Sequence, residues 1–288
     1  MERATREIEI RTRGRRPIRA DLRTLAPRRR RAVIIACHGF LGHKRWGFFP
    51  YLSERLAEAG FHVLTMSFSM NGIDEETGLF ARPEEFAANT VSTELEDLRG
   101  VCAFVRSGAL AAEGAPGEQL GLFGHSRGGA AAILVSRGLD DVRSLVTWST
   151  VARLDRYTAR RKAAWKSEGS LVFTDARASA PLALDYAYYE DIDTHRDEFD
   201  LPKAAAALAA PHLMVHGDRD AAVTLSETQA LVSAGRGEAA RLEIIHGAGH
   251  TFNVSHPMRR PTAALERATR LTTEWFTRTL ESNMEDRS

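Results

Sequence analysis

The sequence predicts an α/β protein: a mostly parallel central sheet with helices on both faces and a small cap inserted beyond its middle. Three observations carry this expectation. Short apolar runs such as "RAVIIACHGF" alternate with stretches of helical periodicity, the mark of strand-helix-strand units. Several of those runs end at a glycine-bearing turn, where loops over the strand ends begin. The interval between "VRSLVTWST" and "PHLMVHG" is about sixty residues, far beyond an ordinary connection, so it needs structure of its own.

The first elements form a hairpin. "EIEIRT" sets Ile8 and Ile10 on one face, and "PIRADLRTL" sets Ile18, Ala20 and Leu22 opposite Arg19, Asp21 and Arg23, with "RGRR" as the turn between them. "RAVIIACHGF" is continuously apolar, as a strand covered on both faces must be. "FFPYLSERLAEAG" is a helix stopped by Gly60, and "FHVLTMSF" the next strand. The polar stretch "SMNGIDEETGLFARPEE" reads as a loop. In "NTVSTELEDLRGVCAFVRS" the residues Val91, Leu95, Leu98, Cys102 and Val105 make one helical stripe for packing on the sheet. "EQLGLFG", "VRSLVTWST", "PHLMVHG" and "RLEIIHG" are further strands. "SRGGAAAILVSRG" and "AALERATRLTTEWFTRTL" are helices, and "AAAALAA" reads as helical too. One domain spans 1–288, with a cap or lid over approximately 150–210.

Composition narrows the class. Lys and Arg number 39 against 38 Asp and Glu, yet residues 1–31 hold 12 Arg and only 4 acids. Without interleaved aromatics this basic start reads as a solvated sheet edge whose arginines oppose edge pairing, and no nucleic-acid partner is expected. "MERATREIEI" lacks the apolar core of a signal peptide and no run is long enough to span a bilayer, so no membrane insertion is expected. Cys37 and Cys102 lie in apolar segments and read as free thiols, which points to a cytoplasmic protein.

The chemistry centres on "LFGHSRGG". A strand precedes Ser126 and a helix follows it, so "GHSRG" occupies a sharp strand-to-helix turn. Gly124 and Gly128 remove side chains that would collide where the two elements cross, and the new helix aims N–H groups at developing negative charge. The plainer alternative is a small residue in a Gly-rich turn; the flanking strand and helix favour a nucleophile. A base is available in His250 of "HGAGHTF" and an acid in "HGDRDAAV". Ser126, Asp220 and His250 occur in the order nucleophile, acid, base, each on a strand-end loop. Asp220 is preferred to Asp218, which is placed to tie down its own turn, with Asp155 third.

The oxyanion donors expected are the N–H of Arg127 and that of Phe40 in "HGFLGHK", with Leu41 the second choice for the latter. His38 and His216, each beside a strand-end glycine, read as holders of loop backbone. His125 flanks the nucleophile and points away from it, and His195 reads as part of a charged cap surface and not as a metal ligand. Trp165, Tyr186, Tyr188 and Tyr189 are candidates for an apolar substrate wall, each also readable as cap core. Arg160, Arg161 and Lys162 read as helix surface before any role with a substrate carboxylate.

Taken together, "HGFLGHK", "FSMNG", "GHSRGG", "HGDRDAAV" and "GAGHTF" resemble the α/β-hydrolase superfamily in its serine esterase branch. The likeness is to the group that holds the feruloyl and cinnamoyl esterases and the dienelactone-hydrolase-like proteins, and runs from Arg31 to the last helix. It implies a Ser126, Asp220, His250 triad, an oxyanion hole at Phe40 and Arg127, and a variable insert at 150–210. The chain departs from dienelactone hydrolases at Ser126, where they carry cysteine.

The expected function is that of a serine hydrolase, carboxylesterase-like, cleaving esters of a small or medium-sized acyl or aromatic group through an acyl-enzyme, with no cofactor and no metal. A peptidase, a thioesterase or another acyl-transfer hydrolase would use the same residues, and a non-catalytic binding protein on the same fold is the alternative outside enzymes. The expected partner is a small-molecule ester; a homodimer is open.

Overall fold

The computed structural model describes residues 3–11, 16–25, 32–111 and 119–285. It opens with an antiparallel hairpin of β1 (Arg3–Ile10) and β2 (Ile18–Leu25), in which Ile8 faces Ala20 and Ile10 faces Ile18. Ile10, Ile18, Ala20 and Leu22 are buried and Arg19 is exposed, as the period-two alternation requires. The turn through Gly14 and the basic run 28–31 lie outside the described residues.

The chain then enters the centre of the sheet at β3 (Ala32–Cys37), all of whose side chains are buried. They divide strictly: Val33, Ile35 and Cys37 join one core, Ala32, Ile34 and Ala36 the other. A strand buried on both faces has no polar alternation to show, which is why it reads as one apolar run. Helix α1 (Phe49–Glu58) follows, then β4 (His62–Met66), the five-residue α2 (Pro83–Ala87) and α3 (Val91–Arg106). Thr90 caps α3 by accepting the Thr93 N–H, and its stripe of Val91, Leu95, Leu98, Cys102 and Val105 is buried.

Next come β5 (Gln119–His125), α4 (Arg127–Ser136) and β6 (Val142–Trp148). The segment after β6 holds α5 (Ala159–Glu168), an antiparallel pair β7 (Ser170–Phe173) and β8 (Leu182–Asp185), α6 (Ala187–Thr194) and α7 (Leu201–Ala206). The chain closes with β9 (His212–Gly217), α8 (Leu225–Ala234), β10 (Ala240–Ile245) and α9 (Ala263–Glu285).

The main sheet has the order β1-β2-β4-β3-β5-β6-β9-β10. Strands β4, β3, β5, β6, β9 and β10 run parallel, while β2 lies antiparallel both to β4 and to its hairpin partner β1. Helices α1 and α9 cover one face through Leu52, Leu56 and Phe276; α3 and α4 cover the other through Leu98, Val101 and Ile133. Among the described residues no helix is long and apolar enough to cross a membrane.

Three local readings need correction. The polar loop before α3 ends in α2, started by Pro83, whose fixed φ suits the first helical turn. Helix α8 was not foreseen, because only Thr228 and Leu231 are buried along it and no apolar stripe results. The "AAAALAA" run is helical only to Ala206; Pro211 ahead of β9 biases the residue before it to extended backbone.

One buried charge ties the hairpin to the core. Lys44 has no exposed side-chain surface, and its Nζ lies 2.7 Å from Glu7, 2.7 Å from Asp21 and 2.9 Å from Glu75. Burial works against its charge, but the three carboxylates outweigh burial and raise its pKa above the ordinary lysine value. The loop carrying Lys44 is therefore clamped under β1 and β2.

Candidate active site

Strand β5 meets α4 at Ser126, whose φ of 55° and ψ of −121° place a non-glycine residue in the left-handed half of backbone space. The Ser126 N–H donates to the Trp148 carbonyl at 2.8 Å, and the Ser126 carbonyl accepts the Gly129 N–H at 3.0 Å, so the turn is fixed on both sides. A Cβ on Gly124 would sit 2.4 Å from the Gly128 carbonyl oxygen, and one on Gly128 would sit 2.3 Å from that of His38. Strand and helix cross too closely for any side chain there. The loop after β3 also presses on this turn: a Cβ on Gly39 would lie 3.0 Å from Ser126 Cβ. The loop that bears the Phe40 N–H thus runs beside the serine, and Arg127 opens α4, whose first N–H groups have no partner within the helix.

His250 and Asp220 arrive on the loops after β10 and β9. Asp220 Oδ2 lies 2.8 Å from His250 Nδ1, and Asp220 Oδ1 accepts the N–H groups of Ala222 and Val223 at 2.9 Å each. Burial opposes ionisation of Asp220, yet the His250 hydrogen bond and the Val223 N–H outweigh it and hold its pKa below the usual carboxylate value. Asp218 does different work: it bonds His246 Nδ1 at 2.9 Å and the Gly247 N–H at 2.7 Å, pinning the His250 loop. The Arg219 N–H to Ala248 carbonyl bond at 2.9 Å stitches the two loops together. Asp155 instead pairs with Lys162 at 2.8 Å.

The surrounding histidines are structural donors and acceptors. His38 Nε2 accepts the Phe68 N–H at 3.1 Å, so its Nδ1–H donates to the Gly39 carbonyl at 2.8 Å. His125 Nε2 donates to the His250 carbonyl at 3.0 Å, and His216 Nε2 to the Val223 carbonyl at 3.0 Å. Burial pushes the pKa of His38 down to about 4 and that of His125 to about 3, so both are neutral near pH 7. His195 bonds its own helix through the Asp191 carbonyl at 2.9 Å.

Ser126 and His250 open into one cavity of about 360 Å³. Its walls include Phe40, Arg127 and Tyr188 of the sequence candidates. Trp165 is a correction: it is 1% exposed, its Nε1–H donates to the Leu184 carbonyl at 2.8 Å, and it stacks behind the wall at 6.2 Å from Tyr188. Tyr186 and Tyr189 surround that same tryptophan and do not line the cavity. Tyr157 and Phe173 complete the aromatic wall and were not singled out from sequence. For Phe173 a signal existed in the strand-like "SLVF"; Tyr157, in an irregular stretch, had none.

The side chain of Arg127 stands in the cavity wall. Its guanidinium pairs with Glu94 of α3, donates to the Tyr188 hydroxyl at 3.2 Å and lies 4.5 Å over the Phe40 ring. Arg160 and Arg161 are exposed on α5.

The comparisons with known proteins agree with this architecture. A family model described as the alpha/beta hydrolase family matches residues 34–265. No curated protein matches. Among solved structures, Est1E from Butyrivibrio proteoclasticus with ferulic acid bound superposes with a TM-score of 0.69 at 20% identity, over 95% of this chain and 99% of that one. A dienelactone hydrolase from Anabaena variabilis gives 0.62 at 17%, over 97% and 99%. An esterase domain from a Rhodothermus marinus protein gives 0.64 at 19%, over 97% and 100%. At these identities the likeness is one of fold.

Proposed function

The chain belongs to the alpha/beta hydrolase family, and we propose that it is a serine hydrolase acting on carboxylic esters of small or medium-sized acyl or aromatic groups. The observation that carries this reading is the shared cavity of Ser126 and His250, with Asp220 at 2.8 Å behind the imidazole.

In this reading Ser126 Oγ attacks the ester carbonyl while His250 Nε2 takes its proton. Asp220 holds Nδ1 protonated, so Nε2 is the free base, and stabilises the imidazolium that forms. The negative carbonyl oxygen is received by the N–H groups of Phe40 and Arg127. Collapse expels the alcohol, which takes the proton from His250 and leaves an acyl-serine. Water then gives a proton to His250, attacks the acyl carbon and releases the acid as the proton returns to Ser126. The acyl group would occupy the pocket between Phe40, Phe173 and Tyr188, beneath a cap formed by the segment from 150 to 210.

Hydrolysis of p-nitrophenyl esters of graded acyl length, by wild type and by Ser126→Ala, tests the proposal. Turnover that disappears in the variant, with fluorophosphonate labelling of wild type alone, is expected. Equal turnover by both proteins would overturn it.

A further inference from the structure

Two arginines, Arg127 and Arg156, line the cavity, a pattern that by residue type alone invites an anionic substrate. Both charges are already matched from outside it. Glu94, only 2% exposed, pairs with Arg127 and is held there by the Asn89 Nδ2–H at 2.9 Å. Arg127 is further confined between the Phe40 and Tyr188 rings, 4.5 and 5.5 Å from its guanidinium carbon. Arg156 Nη1 reaches both oxygens of Glu227, at 2.8 and 2.6 Å, and its Nη2 donates to the Ala222 carbonyl at 2.8 Å. Glu227 is fixed in turn by the Ala152 N–H at 3.1 Å. Neither glutamate reaches the cavity surface.

We propose that the cavity selects esters with uncharged acyl groups, and that Glu94 and Glu227 set this selection by occupying the two arginines a substrate carboxylate would need. The inference rests on the reading of Ser126 as nucleophile and narrows its substrate class. A carboxylate entering the cavity would shed its hydration and find no unmatched cation among the described residues that line it, because the guanidinium forks that bind carboxylates are taken. It would have to displace Glu94, which is buried and hydrogen-bonded, or the half-buried Glu227, which the Ala152 N–H and Arg156 hold in place. A methyl group of similar size loses no such hydration and meets Val151, Leu154 and Phe173.

The test compares kcat/KM for p-nitrophenyl pentanoate and mono-p-nitrophenyl glutarate, which match in length and differ in terminal charge. Wild type is expected to prefer the pentanoate by roughly 100-fold or more, and Glu94→Gln to narrow that ratio by about 10-fold or more as Arg127 becomes unmatched. Glu227→Gln, at the more exposed pair, is expected to shift the ratio in the same direction and serves where Glu94→Gln fails to fold. Fluorophosphonate labelling of each variant reports an assembled Ser126 site. Labelled wild type that turns over both esters equally, or a ratio unmoved in every folded variant, overturns the selection alone. Absence of both labelling and turnover in wild type overturns the nucleophile reading and this inference with it.

Discussion

Arg177, in the turn between β7 and β8, donates a 2.8 Å hydrogen bond from Nη2 to the carbonyl of Leu41, one residue beyond Phe40. Asp175 steadies the same guanidinium at 2.8 Å, and the Arg177 carbonyl accepts the Phe80 N–H at 3.1 Å. The β7–β8 turn is thereby fastened to the loop whose Phe40 N–H is proposed to receive the oxyanion. Leu41 itself has a φ of 60°, so that loop is held in a conformation it would not adopt unaided.

Arg177→Met is therefore expected to lower kcat by about 10-fold while changing KM little, because the loop loses orientation and the acyl pocket is left in place. Arg177→Lys, which keeps a donor, should recover part of the loss. Steady-state kinetics on a p-nitrophenyl ester decide it, and a KM effect without a kcat effect would assign Arg177 to substrate binding.

The two aspartates of "HGDRD" separate by role. Asp220→Asn keeps an acceptor for the Ala222 and Val223 N–H groups but no longer fixes the His250 tautomer, so kcat should fall by roughly 10³- to 10⁴-fold with the fold retained. Asp218→Asn keeps an acceptor for the Gly247 N–H and weakens the contact to His246, away from the reacting atoms, so its loss should stay within about 10-fold. A larger loss at Asp218 than at Asp220 would reverse the assignment.

Acid should unfold the protein through its interior histidines. Burial depresses His38 to about 4 and His43, His125 and His212 to about 3, all below the value of about 6.5 for an unfolded chain. The unfolded state therefore binds more protons between those limits. Stability is complete above about pH 6.5 and falls as pH drops toward 4, each histidine contributing at most about 1.4 kcal/mol per pH unit. Urea unfolding at pH 7, 6 and 5 should show midpoints that fall with pH; His212→Gln, at a site bonded to Thr147, should flatten the slope. Midpoints independent of pH would contradict the burial argument.

Much of this molecule was legible in its sequence, and the boundary is physical. Strand β3 and the stripe of α3 were visible because burial on both faces, or on one, leaves a periodic trace in residue type. The positions of Ser126, Asp220 and His250 on strand-end loops were legible for the same reason, since each follows a recognisable apolar strand. Glu94 was not, because its burial is demanded by Arg127, a partner 33 positions away that leaves no local mark. The cavity wall failed similarly. Aromatic residues announce that they will be buried, but whether Trp165 meets the cavity depends on how α5 is rotated, which its weak amphipathic pattern does not encode, and Tyr157 stands in the irregular stretch ahead of that helix, where no period is written.

The clamp around Lys44 bears on where the chain can be cut. The family match begins at residue 34, and the hairpin before it is easily taken for a detachable ornament. Yet Glu7 and Asp21 of that hairpin ground the ammonium that follows "HGFLGH", four residues past Phe40. A construction that trims the protein to its family core would strip two counter-ions from a lysine and release from below the loop on which Phe40 stands. The hairpin is better understood as a foundation of the loop that bears Phe40, and fusions or truncations should respect it.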